Sequence, residues 1–184
     1  MLTGVIGPAR HLEHVASDVA KLGAGLVRLS VGQAAAHRTK STPTDVVTQT
    51  DLESEKLIRR ELIERCPGST IVGEEFGDHA GTNGVGWIVD PIDGTINFLY
   101  DLPVVSVSIA ATIDGEVVAG AVADVLRGEV FTATRGEGAR RDSETIVADD
   151  PGILSQALIG TGFSYDADVR QREATVVGLS LIHI

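Results

Sequence analysis

The segment Cys66-Pro67-Gly68 divides the chain into a helical part and a part made of short strands. Before it, apolar residues recur every three or four positions, which is typical of amphipathic helices. After it, apolar runs are short and are separated by glycine and by Asp-Gly or Arg-Gly pairs, which indicate strands joined by turns. This order of patterns predicts helices packed on a sheet.

Two helices are predicted in the first part. The first spans about residues 11–36 and is weakened by three glycines, and its apolar face comprises Leu12, Val15, Val19, Leu22, Leu26 and Leu29. The second is predicted to begin at Thr50, whose spacing to Glu53 is typical of a capping box. Asp51 then lies in its first turn, where the helix dipole favours a carboxylate. Its apolar stripe comprises Leu57, Ile58, Leu62 and Ile63.

The second part predicts an antiparallel meander. Residues 104–134 contain three strand candidates, joined by Asp114-Gly115 and by Arg127-Gly128. An Asp-Gly pair between two extended runs is a strong hairpin signal. A further strand is expected around residues 156–161, and a last helix from about Ala167.

Composition limits the class of protein. The 184 residues, 43% of them hydrophobic, suit one well-buried domain, and no repeat or linker divides residues 1–184. Acidic side chains outnumber basic ones by 26 to 15, so the average surface repels nucleic acid and anionic lipid. Neither partner is expected. A single cysteine excludes an internal disulfide, and the sequence shows no leader and no membrane-spanning run, so a cytoplasmic location is expected.

Acidic residues follow two of the predicted strands. In WIVDPIDGTINF, residues 87–98, Asp90 ends an apolar run and Asp93 follows closely, while Glu74 ends the run at residues 70–73. Asp, Pro and Gly are also common turn residues, so a simple turn is one interpretation of this segment. The other is a cation, because like charges this close repel each other and no obvious Lys or Arg partner lies between Arg65 and Arg127.

The donor types favour a hard cation. Carboxylates, carbonyls and hydroxyls suit magnesium, manganese or calcium better than zinc. Because Ile92 stands where a calcium loop needs an acid, magnesium is preferred. Gly94 would let the backbone approach a ligand closely, and the Thr95 hydroxyl could position a metal-bound water. A plain N-cap remains the alternative for Thr95.

Three segments together resemble the inositol monophosphatase family: GEE at residues 73–75, WIVDPIDGTINF with Pro103 following, and KSTPTDVVTQTD at residues 40–51. The resemblance runs from the first helix to about Asp168. It implies a magnesium-dependent, lithium-sensitive phosphomonoesterase that hydrolyses inositol monophosphate, or a related sugar, histidinol or nucleotide phosphate. It also implies an α/β fold, specifically an α+β layered sandwich of the αβαβα type. Such a fold has a largely antiparallel sheet, an N-terminal helix pair and usually a homodimeric assembly.

The resemblance also implies site residues. The first metal would be held by Glu74, Asp90 and the Ile92 carbonyl, and Asp93 would join Asp90 at a second. Asp51 would hold outer-shell water near a third metal. Thr95 and Glu74 would orient and activate the attacking water. The substrate phosphate would rest on the N–H groups of Gly94 and Thr95, next to Asp93. Lys40 lies in the matching loop.

One family feature is missing. Members continue beyond this length and supply a late Trp-Asp segment whose aspartate completes the second metal site, whereas Trp87 is the only tryptophan here. The chain ends on the apolar LSLIHI at residues 179–184. A C-terminally truncated, incomplete domain is therefore expected. A non-catalytic fragment that acts only by association is the competing interpretation.

Overall fold

The computed structural model describes residues 7–33, 35–39, 46–150, 152–158 and 160–183. Lys40 lies outside these ranges. The helices are α1 (Pro8–Leu29), α2 (Gln49–Arg65), α3 (Thr95–Leu99) and α4 (Ala167–His183). The strands are β1 (Ala36–Thr39), β2 (Val46–Thr48), β3 (Thr70–Gly73), β4 (Gly77–His79), β5 (Val85–Asp93), β6 (Ser106–Ile113), β7 (Glu116–Asp124), β8 (Val130–Thr134), β9 (Gly138–Arg141) and β10 (Glu144–Ile146). Within the described ranges, no helix combines the length and apolar character needed to cross a bilayer.

Eight strands form one sheet, in the order β10-β9-β8-β7-β6-β5-β3-β4, and β1 pairs with β2 separately. The pairs in the described sheet are antiparallel except for β3 with β5, which run parallel. The predicted largely antiparallel sheet is confirmed. So is the meander of β6, β7 and β8, whose first turn has positive φ at both Asp114 (51°) and Gly115 (84°), as a type I′ hairpin requires.

The two long N-terminal helices pack on one face of this sheet. α1 contacts β6, β7 and β8, and α2 contacts α1 and β5. Alternate strand residues point into the resulting core, among them Val107, Ile109 and Ala121. The opposite face exposes apolar side chains, with Val72, Ile88 and Val122 at 42%, 48% and 37% exposure.

α1 differs from its prediction in length and in its buried face. It ends at Leu29, because a turn with φ of 74° at Gly32 follows it. Leu22 and Leu29 are exposed, and the buried face continues instead through small residues: Ala16, Ala20, Gly23, Ala24 and Val27. Gly23 does not only weaken the helix. A Cβ there would lie 3.0 Å from the Ile58 side chain, so glycine lets α1 and α2 approach closely.

The N-cap of α2 lies two residues earlier than predicted, and its capping box is a different pair. Thr48 is the N-cap, and it exchanges hydrogen bonds with Asp51, so the predicted Thr50–Glu53 box is wrong. Asp51 does lie in the first turn, as predicted. Of the predicted stripe, Ile58 and Leu62 are buried, but Ile63 is 39% exposed. Polar residues occupy the rest of the buried face, namely Asp51, Ser54 and Glu55.

The strand predicted around residues 156–161 is wrong. Leu154–Gln156 forms a short 3₁₀ turn, and the described residues after it carry no strand. Leu158 is fully exposed, so this apolar run buries nothing that would support a strand. The helix predicted from Ala167 is confirmed as α4.

Candidate active site

The parallel pair β3–β5 brings two predicted site residues together. Gly73 pairs with Val89, so one further step along both strands places Glu74 beside Asp90. The two carboxyl groups are hydrogen-bonded to each other. The pKa of Asp90 is raised to about 7, first by burial, then by the charge of Glu74 and this hydrogen bond, and further by the charge of Asp93.

A bulge separates Asp90 from Asp93. β5 does not end at Asp90 as predicted but continues to Asp93, and its register against β6 shifts between these residues. Asp90 Oδ1 accepts a hydrogen bond from the Ile92 N–H at 3.1 Å, so the turn interpretation of this segment also holds. Asp93 is exposed and accepts a hydrogen bond from the Ser106 hydroxyl at 3.3 Å. The two aspartates therefore remain neighbours with different solvent access.

Thr95 connects this segment to α2. Its hydroxyl is placed to donate to Asp51 Oδ1 at 3.1 Å and to the Ile92 carbonyl oxygen at 3.0 Å. Gly94 is the N-cap of α3, so the plain N-cap alternative for Thr95 is wrong. A hydroxyl has a single proton, so it serves one of the two acceptors at a time. The acceptor that is not bonded at that moment, either Asp51 Oδ1 or the Ile92 carbonyl oxygen, keeps its lone pairs available for another ligand.

Asp51 is buried and firmly held. Its Oδ2 accepts hydrogen bonds from the Thr48 N–H at 2.9 Å and from the Thr48 hydroxyl. Burial raises the pKa of Asp51, while the hydrogen bonds from Thr48 and Thr95 act in the opposite direction. With 1% exposure, Asp51 contacts solvent hardly at all, and its described contacts anchor Thr95 and the start of α2.

Two structural features explain why position 94 is occupied by glycine. Its φ is 90°, in the left-handed region that side chains disfavour. A Cβ there would also lie 2.8 Å from the Val104 carbonyl oxygen. The same oxygen accepts a hydrogen bond from the Asn97 side chain at 2.8 Å, which fixes the loop after α3. The close backbone approach predicted at Gly94 is thus directed at the protein's own chain.

Sequence reasoning missed the polar residues on α2 that hold these segments. The Ser54 hydroxyl donates to the Pro91 carbonyl oxygen at 3.1 Å, and the Glu55 carboxylate accepts from the Glu75 N–H at 2.7 Å. The available signal was their spacing, because residues three or four positions from Asp51 share its buried face. The arginine partners were missed as well, since Arg38 lies 3.3 Å from Glu75.

The donor set suits a hard cation, although a cage is not preformed. In the part of the chain that the structure describes, no group of three or more His, Cys, Asp or Glu side chains is arranged to hold a metal ion. Glu74, Asp90, Asp93 and the Ile92 carbonyl nevertheless offer only oxygen atoms, as magnesium prefers. The charge of Glu74 raises the pKa of Asp90, and a divalent cation between the two carboxylates would relieve the same repulsion.

These features define an α+β layered protein with an acidic, oxygen-rich site at the ends of two parallel strands. The sequence profile of the inositol monophosphatase family matches residues 9–179. The chain belongs to this family, and the resemblance predicted from its motifs is confirmed.

Named relatives agree with this assignment. An inositol-1-monophosphatase of Mycobacterium leprae is 40% identical over 187 residues, which cover 94% of this chain and 59% of the relative. The solved structure of Mycobacterium tuberculosis SuhB is 38% identical, with a TM-score of 0.77, over 93% of this chain and 64% of that one. An inositol monophosphatase structure from Anabaena is 28% identical, with a TM-score of 0.72, over 91% and 59%. The chain thus spans less than two thirds of the length of these relatives.

Proposed function

We propose that this protein hydrolyses a small phosphate monoester, with inositol monophosphate as the leading substrate. The observation that carries the proposal is the meeting of Glu74 and Asp90 across β3 and β5. Asp90 lies in the same short segment as Thr95, whose hydroxyl bonds to Asp51 on α2. The relative from Mycobacterium leprae, named as an inositol-1-monophosphatase, supports the choice of substrate. Sugar, histidinol and nucleotide phosphates are the alternative substrates.

Magnesium is the proposed cofactor. Glu74, Asp90, Asp93 and the Ile92 carbonyl would hold it. Bound there, magnesium would polarise the phosphate and supply a nucleophilic water at neutral pH. Lithium inhibition is expected for the same site.

The chain's own residues would orient the reactants. When the Thr95 hydroxyl donates its proton to Asp51, its lone pairs are free to accept a hydrogen bond from the attacking water. Glu74 would accept the proton of that water as a general base. The N–H groups of Gly94 and Thr95, beside Asp93, would contact the phosphate. Because α3 has only five residues, these are individual N–H contacts rather than the effect of a long helix dipole.

The assembly and location remain proposals. We propose a cytoplasmic homodimer that binds a small-molecule substrate and neither nucleic acid nor membrane. The formal charge of -11 supports the proposal that the protein does not bind nucleic acid, because like charges repel. Analytical ultracentrifugation tests the dimer.

Phosphate release from inositol 1-phosphate tests the activity. The parent chain should release phosphate with Mg²⁺ and not with a chelator, and lithium should inhibit release. Asp93→Asn should lower the rate by roughly tenfold or more. Asp149→Asn, at an exposed aspartate, is the matched control and should behave as the parent. Equal rates for Asp93→Asn and the parent would refute the site. A folded parent that releases nothing favours the competing interpretation, in which the chain acts only by association.

A further inference from the structure

One face of α2 contacts each segment that carries the proposed site. Asp51 accepts a hydrogen bond from Thr95, and Ser54 donates to the Pro91 carbonyl. Glu55, one residue on, bonds to the turn between β3 and β4. Residues three and four positions apart share a helix face, so a single rigid helix reaches both the segment of residues 87–98 and the turn between β3 and β4. The proposed chemistry gives no role to Ser54 or Glu55, and of these two only Glu55 is ionisable.

Glu55 is fully buried, and its carboxylate is surrounded by donors. Oε2 accepts from the Glu75 N–H at 2.7 Å, and Oε1 accepts from the Phe76 N–H at 3.3 Å. Oε1 also accepts from Arg59 Nη1 at 2.8 Å, and that nitrogen donates to the Gly77 carbonyl oxygen, again at 2.8 Å. The Glu55–Arg59 pair therefore spans the turn from Glu75 to the first residue of β4.

The same carboxylate contacts the backbone on the other side of Glu74. A side chain at Gly73 would collide with Glu55 Oε1, so glycine is needed for this approach. The Glu75 N–H belongs to the same planar peptide unit as the Glu74 carbonyl. Holding that N–H fixes the ψ angle of Glu74, and with it the direction in which the Glu74 side chain leaves the backbone.

We propose that Glu55 is a positioning residue that sets Glu74 in register with Asp90 for cation binding. This inference rests on the proposed function, in which Glu74 is a metal ligand. The turn has little apolar burial of its own, since Phe76 is 44% exposed. A buried carboxylate is unfavourable unless it is paired and hydrogen-bonded. Both conditions are met here, because the carboxylate is bonded to the two residues after Glu74 and lies against Gly73, the residue before it.

The test compares Glu55→Gln with Glu53→Gln. Glu53 lies on the exposed side of the same helix, where its carboxylate accepts a hydrogen bond from Gln49 at 3.0 Å. Amide hydrogen exchange, followed by NMR without metal, reports the turn directly. In Glu55→Gln the Glu75 and Phe76 amides should exchange about tenfold faster than in the parent. Mg²⁺ affinity, measured by titration calorimetry, should fall by about tenfold. Glu53→Gln should change neither.

A readout from catalysis separates positioning from a purely structural role. Raising Mg²⁺ should restore most of the kcat of Glu55→Gln, with KM for the substrate unchanged. Because bound Mg²⁺ also stabilises the folded state, the rescue is measured at a temperature where Glu55→Gln is fully folded without metal, so that a loss of stability alone would leave kcat unchanged. Arg59→Lys keeps the charge but loses the rigid two-way contact, and should show the same pattern more weakly. It serves as the second variant if Glu55→Gln does not fold.

The outcomes are distinguishable. Unchanged amide exchange, or unchanged Mg²⁺ affinity in a folded Glu55→Gln, overturns the inference and leaves the proposed function intact. If the parent itself binds no Mg²⁺, the proposed function fails, and the inference fails with it. Rapid exchange of the Glu75 and Phe76 amides in the parent would also overturn the inference, and this measurement needs no variant.

Discussion

The Thr95 hydroxyl lies 3.1 Å from Asp51 Oδ1, although 44 residues separate the two in sequence. This bond joins the start of α3 to the first turn of α2 and brings two of the three family-like segments together. Asp51 is in turn held by Thr48, the N-cap of α2. The helix start and the proposed site therefore share one hydrogen-bond network, and several predictions about both depend on it.

Removing the Thr95 hydroxyl should impair the proposed activity more than the fold. Thr95→Ala is expected to lower kcat by roughly 10-fold to 1,000-fold, because the attacking water loses an acceptor and Asp51 loses a donor. Thr95→Ser keeps the hydroxyl and should retain most of the activity. Steady-state phosphate release compares the two. Similar rates for the alanine and serine variants would contradict the role of Thr95.

The position of the helix N-cap predicts that alanine substitution destabilises the protein more at Thr48 than at Thr50. Thr48→Ala should lower the free energy of unfolding by about 1–2 kcal/mol, because it removes the side-chain half of the capping box of α2. Thr50 is the residue that the sequence pattern favoured as the N-cap. Apart from the loss of its buried methyl group, Thr50→Ala should lower the free energy of unfolding by less than about 0.5 kcal/mol. Urea unfolding measures both. A larger cost at Thr50 would mean that α2 begins later than Gln49.

Gly94 should tolerate no side chain, and Gly115 provides the matched comparison. Both glycines have positive φ, of 90° and 84°, but a Cβ at Gly115 meets nothing within 4 Å. Gly115→Ala should therefore cost only the backbone strain, about 1 kcal/mol. Gly94→Ala adds the contact with the Val104 carbonyl and should cost at least about 1 kcal/mol more. Equal thermal unfolding of the two variants would contradict the close approach at Gly94.

Without metal, the protein should lose stability as pH rises toward neutrality. The pKa of Asp90 is about 7 in the folded protein, against an ordinary value of 3.8. Between these values Asp90 holds a proton in the folded state that it lacks in the unfolded chain, so the contribution of Asp90 to stability is greatest below the lower value and falls until pH passes about 7. The loss is at most about 4 kcal/mol, and solvent around the half-exposed carboxyl reduces it.

The variant Asp90→Asn should remove most of this pH dependence. Urea unfolding with a chelator, at about pH 5 and about pH 7.5, compares the parent with the variant. The parent should be the less stable of the two at the higher pH, because it must then ionise a half-buried carboxyl beside Glu74. If the parent and the variant lose stability equally, Asp90 is not the group responsible.

Local patterns predicted the long helices and the β6–β8 meander, but not the pairing of β3 with β5. The acids after two strands pointed to Glu74 and Asp90, because a charge that ends an apolar run is conspicuous. Their meeting depends on the parallel register of β3 with β5, which no short-range signal specifies. The capping box was displaced by two residues because Thr48–Asp51 and Thr50–Glu53 have the same spacing, and tertiary contacts from Thr95 favour the first.

Glu55 and the small residues of α1 illustrate a second limit of prediction from local sequence patterns. Glu55 bonds to backbone amides 20 and 21 residues away, and backbone donors carry no sequence signature. The buried face of α1 consists largely of alanine and glycine because α2 packs closely against it. Larger side chains such as Leu22 and Leu29 are exposed to solvent. In both cases a neighbouring element, rather than local periodicity, decides which side chains are buried.

Mg²⁺ titration calorimetry, near neutral pH, tests the central claim that carboxylates from β3 and β5 share a cation. The parent and Asp149→Asn should bind Mg²⁺ with the same affinity, whereas Asp90→Asn should bind at least about tenfold more weakly. Equal binding by Asp90→Asn and the parent, or no binding by a folded parent, would contradict the account.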